Sequence, residues 1–79
     1  MAKRVLLNAV RDGKSVKVIE IHGGKGIHDR LQCLGIRPGV TLTKVSGLAR
    51  FGPTVVQCGQ TQTALGNGIS SKVIVEEDE

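Results

Sequence analysis

Two histidines and one aspartate near the first predicted strand are the side chains best suited to binding a metal ion. His22, His28 and Asp29 are residue types that ligate divalent transition metals, and a set of two His and one carboxylate is chemically sensible. His28 and Asp29 are adjacent on a predicted helix, so their side chains point about 100° apart. The spacing therefore favours exposed polar side chains, and we assign no metal ligand.

The two cysteines, Cys33 and Cys58, lack the C-x-x-C spacing of zinc and redox sites. The N-terminal segment is too polar for a signal peptide, so we expect reduced thiols rather than a disulfide. We expect both to pack as small hydrophobic side chains, Cys33 beside the apolar stripe of a helix and Cys58 at a strand end. No Ser-His-Asp or paired-carboxylate arrangement stands out, so we expect no enzymatic activity, catalytic residue or cofactor.

The glycine-rich segment 23–26 lies between a predicted strand and a predicted helix. Backbone amides at a helix start favour anions, which makes a phosphate site one interpretation. Neither nucleotide-binding pattern is matched, because there is no G-x-x-x-x-G-K-[ST] and Asp29 stands where the dinucleotide pattern needs Gly or Ala. A sharp turn from strand to helix is the favoured reason for these glycines.

Length and composition predict one soluble domain over residues 1–79. Phe51 is the one aromatic residue, so the core must consist of Val, Ile and Leu. No apolar run approaches the roughly 20 residues that cross a bilayer, so we expect no direct membrane insertion. The net charge is +4, and the acidic residues at 76–79 read as a C-terminal tail. A basic body suits an acidic protein surface, a nucleic acid or an anionic lipid.

Apolar periodicity and turn signals predict five short strands and one helix. The run 15–21 is a strand whose alternation slips, as in a bulged strand, and 27–34 has helical apolar spacing with Gly35 as its cap. The other predicted strands are 40–45, 54–58, 61–65 and 72–75, with turns at 11–14, 37–40, 59–60 and 66–71. The fold class predicted is mainly β, a small SH3-like, partly open barrel, with an OB-type barrel as the near alternative.

The segment 21–39 resembles the pattern of the FeoA family. Its landmarks are a Gly-rich turn, an Arg-Leu pair at 30–31, Leu-Gly-Ile at 34–36, and a basic residue before Pro-Gly at 37–39. Gly-Pro before an apolar strand and Ala-Leu-Gly before the last strand follow in the family's order, at 52–53 and 64–66. The two cysteines are not part of that pattern.

The resemblance implies a non-catalytic, cytoplasmic protein that supports the membrane ferrous iron transporter FeoB. We expect a shallow apolar cleft beside the helix, with basic residues on its rim, to receive a segment of FeoB or of a neighbouring subunit. The expected partner-binding residues are Arg30, Leu31, Leu34, Arg37, Arg50 and Phe51. Plain core is the favoured interpretation of Leu31 and of Leu34 individually, whereas Phe51 on a Gly-flanked loop suits an exposed anchor.

Other functions stay open at this point. The same fold is expected in the terminal domain of iron-dependent repressors, which leaves a regulatory domain that binds metal or a Pro-rich or other peptide segment. A basic nucleic-acid-binding barrel would stack bases on aromatic rings, and with Phe51 as the single candidate we expect no nucleic acid partner. The sequence leaves open a weak homo-oligomer, direct ferrous iron binding, and whether partner contact stimulates GTP hydrolysis, gates transport or assembles subunits.

Overall fold

Six antiparallel strands form one sheet in this computed structural model, which describes residues 2–46 and 53–78. The strands are β1 (Ala2–Leu6), β2 (Ser15–Ile21), β3 (Thr41–Ser46), β4 (Thr54–Cys58), β5 (Thr61–Leu65) and β6 (Val73–Asp78). Their spatial order is β1-β6-β2-β3-β4-β5, so β1 and β5 are the two edges of an open sheet. The predicted mainly β, partly open architecture is confirmed.

Within residues 2–46 and 53–78, helical structure is limited to short elements between the strands. A 3₁₀ turn (Leu7–Ala9) follows β1, α1 (Lys25–Cys33) connects β2 to β3, and α2 (Asn67–Ser70) precedes β6. Among the described residues, no helix is long and apolar enough to cross a membrane. The helix predicted at 27–34 is confirmed as α1, although α1 begins and ends slightly earlier than the apolar spacing indicated.

The sequence predicted the bounds of β2, β4 and β5 but missed β1, so the count of five strands was wrong. The register of β1 against β6 places Lys3 opposite Glu77 and Arg4 opposite Glu76. Adjacent charged residues give β1 no apolar alternation from which a strand would be predicted. Its extended conformation depends on pairing with a distant part of the chain, which is a tertiary effect.

The acidic C-terminal residues form part of a strand, which corrects the expectation of a tail at 76–79. They belong to the end of β6 as far as Asp78. Since β6 lies between β1 and β2, Glu76 is opposite Arg4 on one side and Lys17 on the other. Each cross-strand pair of opposite charges contributes roughly 0.2–1 kcal/mol. The acidic residues thus offset basic residues on both neighbouring strands.

The core lies on the inner face of the sheet, and α1 contributes Leu31 to it. Its buried apolar members are Leu7, Val10, Val16, Val18, Ile21, Leu31, Ile36, Leu42, Val56, Leu65, Val73 and Val75. The register of β2 against β6 shifts between Val18 and Glu20, which is the bulge predicted from the slip in alternation. Because of this bulge, Val18 and Ile21 both face the core although they are three residues apart.

Lys44 is a charged side chain that is buried beside this core, with 5% of its surface exposed. Its Nζ donates hydrogen bonds to the backbone carbonyl of Val10 and, at 3.5 Å, to that of Asn8. The carboxylate of Asp12 lies 3.9 Å from the same nitrogen. Lys44 therefore joins β3 to the segment after β1 through these hydrogen bonds. Its charge alone did not indicate this structural role.

Replacing Lys44 with Met tests this role, because Met keeps much of the side-chain volume and removes the ammonium donor. We expect Lys44→Met to lower the free energy of unfolding by about 1–3 kcal/mol, since the carbonyls of Val10 and Asn8 lose a charged donor. Urea denaturation measures this change. The exposed Lys72 provides the control, and Lys72→Met should stay within about 0.5 kcal/mol of wild type. Equal effects of the two substitutions would contradict the role.

Candidate functional site

The predicted partner-binding residues that the structure describes lie on α1 and the turn after it. Arg30 and Arg37 are exposed, Leu34 is half-buried, and Leu31 is fully buried. Leu31 is therefore a core residue, in line with the interpretation favoured for it from the sequence. We name Arg30, Leu34 and Arg37 the helix-end surface. The remaining predictions, Arg50 and Phe51, fall outside the described residues.

The end of α1 is fixed by a Schellman motif. Gly35 has φ of +81°, in the left-handed region that glycine adopts readily. The Ile36 N–H donates to the carbonyl of Leu31 at 2.9 Å, and the Gly35 N–H donates to that of Gln32 at 3.0 Å. These are the two hydrogen bonds of the motif, and the burial of Leu31 and Ile36 supplies its usual apolar component. The predicted Gly35 cap is confirmed.

The turn that carries Arg37 is anchored to the sheet. The Val40 N–H donates to the carbonyl of Arg37 at 3.1 Å, and Gly39 has φ of +96°, which confirms the predicted turn. Backbone hydrogen bonds of 2.8 Å join Gly39 to the carbonyl of Val18 and the Val18 N–H to the carbonyl of Val40. Arg37 thus projects from backbone held by β2, which limits the freedom of its side chain to its own rotamers.

The glycine-rich segment before α1 makes a tight turn for which steric reasons are visible. Gly23 has φ of +109°, and a Cβ added there would lie 2.8 Å from Cδ1 of Ile27. The His22 N–H donates to the carbonyl of Lys72 at 2.7 Å, which joins the end of β2 to the chain before β6. These contacts support the structural interpretation of this segment, which connects the end of β2 to α1.

The metal-ligating residue types do not gather in one place. Within residues 2–46 and 53–78, no group of three or more His, Cys, Asp or Glu side chains is arranged to hold a metal ion. His22 Nε2 lies 3.4 Å from an Oε of Glu20, and both side chains are exposed. His28 and Asp29 are exposed on α1. An exposed pair of this kind contributes little energy and does not make a preorganised site.

The cysteines are free thiols in different environments. Cys58 packs against the core, and its Sγ donates to the carbonyl of Gly35 at 3.6 Å, so its predicted role is supported. Cys33 is exposed, and the prediction of a packed thiol was wrong for it. Cys33 is two residues from the buried Leu31, and such residues point about 200° apart on a helix. It therefore lies on the outer face of α1.

An open antiparallel sheet with a short helix between β2 and β3 is typical of a small SH3-like barrel domain. The model of the FeoA domain family matches residues 5–77. The chain therefore belongs to the FeoA domain family, as the motifs at 21–39 indicated. A search of the curated proteins found no match.

Solved structures share this fold over nearly the whole chain. A crystal structure of an iron uptake regulatory protein (FeoA) is 26% identical with a TM-score of 0.90, and the match covers 96% of this chain and 100% of that one. The NMR structure of a FeoA-like protein from Clostridium acetobutylicum is 22% identical with a TM-score of 0.82, over 98% and 90% of the two chains. A manganese-dependent transcriptional repressor is 19% identical with a TM-score of 0.88, and 99% of this chain matches 44% of the repressor. The predicted SH3-like fold is confirmed.

The conformation of Gly35 predicts opposite effects for two Gly-to-Ala substitutions near α1. Gly35→Ala should lower the free energy of unfolding by about 1–2 kcal/mol, because an L residue is strained at this positive φ. Gly26 lies within α1, and an added Cβ there meets no atom within 4 Å. Gly26→Ala should therefore raise stability by about 0.5–1 kcal/mol. Denaturation curves that shift in the same direction for both variants would contradict the cap.

The exposure of the thiols predicts two distinct rates of modification. With a thiol-reactive disulfide reagent under native conditions, we expect Cys33 to react fast and Cys58 slowly, because Cys58 must be uncovered first. The variants Cys33→Ser and Cys58→Ser assign each phase by eliminating it. Loss of the slow phase in Cys33→Ser would show that the exposed face of α1 has been placed wrongly.

Proposed function

We propose that this chain is a non-enzymatic cytoplasmic accessory protein of ferrous iron uptake, which acts by binding the membrane transporter FeoB. Membership of the FeoA domain family over residues 5–77 supports the link to iron uptake. The similarity to a crystallised iron uptake regulatory protein over its full length supports the same link. The observation that carries the binding role is the helix-end surface, in which Arg30 and Arg37 are exposed and Leu34 is half-buried.

The helix-end surface is suited to an acidic and partly apolar segment of a partner. A guanidinium group pairs with a carboxylate through two parallel hydrogen bonds, which gives both strength and direction. Neither Arg30 nor Arg37 forms an ion pair or side-chain hydrogen bond within the structure at 2–46 and 53–78. Leu34, which lies between the two arginines in the sequence, is half-buried, and a partner would cover its remaining exposed apolar surface. Both arginines are therefore available to a carboxylate-bearing partner.

The backbone beneath the helix-end surface lowers the cost of binding. The Schellman hydrogen bonds of Gly35 and Ile36 and the turn at 37–40 fix the backbone that carries the arginines before any partner arrives. Ordering a flexible side chain at an interface costs about 0.5–1.5 kcal/mol, and a fixed backbone avoids adding loop ordering to that cost. The arrangement is that of a preformed binding surface rather than of a segment that folds on contact.

Charge reversal at the helix-end surface tests the proposal. We expect the double variant Arg30→Glu, Arg37→Glu to bind the purified cytoplasmic domain of FeoB at least about tenfold more weakly, because attraction to carboxylates becomes repulsion. Isothermal titration calorimetry measures the affinity. The binding of the wild-type protein should also weaken as salt is raised.

A matched control separates this surface from net charge. Arg11 is exposed in the turn before β2, whereas α1 follows the other end of that strand. The variant Arg11→Glu should keep the wild-type affinity.

A separate variant, Phe51→Ala, tests the sequence-based prediction of an anchor in the loop. If the Arg30→Glu, Arg37→Glu double variant binds with unchanged affinity, the helix-end surface is not the binding surface. If neither the wild-type protein nor any variant binds, FeoB is not the partner.

A further inference from the structure

The β4–β5 hairpin is unusual in this charged chain because it carries no charge. From Pro53 to Ser71 the sequence contains no Asp, Glu, Lys or Arg, so all eleven basic and all seven acidic residues lie elsewhere. β5 is an edge strand, and its exposed residues include Thr61, Gln62 and Ala64. The hairpin therefore presents a neutral, open strand edge on a protein with a net charge of +4.

The two edges of the sheet differ in the features that prevent strands from pairing with other molecules. Edge strands are usually blunted by charges, by proline or by a bulge. β1 carries Lys3 and Arg4. β5 has neither charge nor proline, and its register against β4 runs without a shift from Thr54–Leu65 to Cys58–Thr61. By these criteria β1 is protected and β5 is not.

The free backbone groups of β5 can be assigned from its hairpin. The two-residue loop makes Cys58 and Thr61 a hydrogen-bonded pair that closes the turn. Hydrogen-bonded and non-hydrogen-bonded pairs alternate in an antiparallel ladder, so Gln62 and Ala64 direct their N–H and C=O groups away from β4. Both residues are exposed, so these groups are accessible.

We propose that β5 pairs antiparallel with β5 of a second copy of this chain. With the two-fold axis at Thr63, Gln62 of one copy is opposite Ala64 of the other, and each such pair exchanges two backbone hydrogen bonds. The pairing joins the two open sheets into one continuous sheet. It is isologous, because each copy contributes the same surface.

Charge is the reason that a second copy is the occupant and that β5 is the edge used. Two copies with a net charge of +4 repel each other, and the repulsion is smallest where neutral surfaces meet. Pairing through β1 would bring Lys3 and Arg4 of both copies together, which is unfavourable. Val55, beside Ala64 on β4, is half-buried and gives the outer face of the junction an apolar component. This self-association does not depend on FeoB binding.

Sedimentation equilibrium tests the proposal with two alanines that occupy matched positions. Ala64 on β5 and Ala2 on β1 are both exposed on edge strands. We expect the average mass of wild type to rise from monomer towards dimer between about 10 µM and about 1 mM. Ala64→Lys should weaken dimerisation at least about tenfold, because each copy would place a lysine within the junction. Ala2→Lys adds the same charge and should leave dimerisation within about twofold of wild type.

Amide hydrogen exchange of the wild-type protein locates the junction without any substitution. The amides of Gln62 and Ala64 should exchange more slowly as the protein concentration rises, whereas those of β1 should not change. A wild-type protein that stays monomeric throughout, or equal effects of Ala64→Lys and Ala2→Lys, would overturn the proposal. Concentration-dependent protection confined to other strands would overturn it too.

Discussion

The burial of Leu31 and Ile36 in the core is the constraint that holds α1 and the turn after it in place. A nine-residue helix such as α1 is not stable in isolation, so it must be held by packing. Burying a Leu or Ile side chain contributes about 1.5–3 kcal/mol, and both of these residues are buried in the core cluster with residues of the sheet. Because Gly35 lies between them in the left-handed conformation, the same burial also fixes the direction in which the chain leaves the helix.

The local signals of the sequence were reliable where a backbone conformation strongly favours one residue type. Gly35 and Gly39 have the positive φ values that their turns require, and the slip in the alternation of β2 corresponds to a bulge. Pairing between distant segments left no such signal. β1 and the acidic end of β6 become strands because they lie against each other, with Arg4 opposite Glu76, and neither segment has an apolar period that would predict a strand.

The exposure of the basic residues at the end of α1 was predictable from the sequence, whereas the degree of burial of each apolar side chain was not. The motif at 30–39 indicated a basic helix end, and the structure supports two exposed arginines with a half-buried Leu34. Helical spacing placed Leu31 on the apolar stripe, and its burial separates it from the exposed part of the set. Lys44 shows the limit of reasoning from charge, because its ammonium group is enclosed by backbone carbonyls that no pattern in the sequence identifies.

We propose that the end of α1 and the following turn contact the partner. NMR spectra of ¹⁵N-labelled protein, recorded as unlabelled FeoB cytoplasmic domain is added, test it most directly. We expect the largest changes in chemical shift and line width to fall within residues 30–39. Changes concentrated in β5 or in the turn at 11–14, with residues 30–39 unaffected, would contradict it.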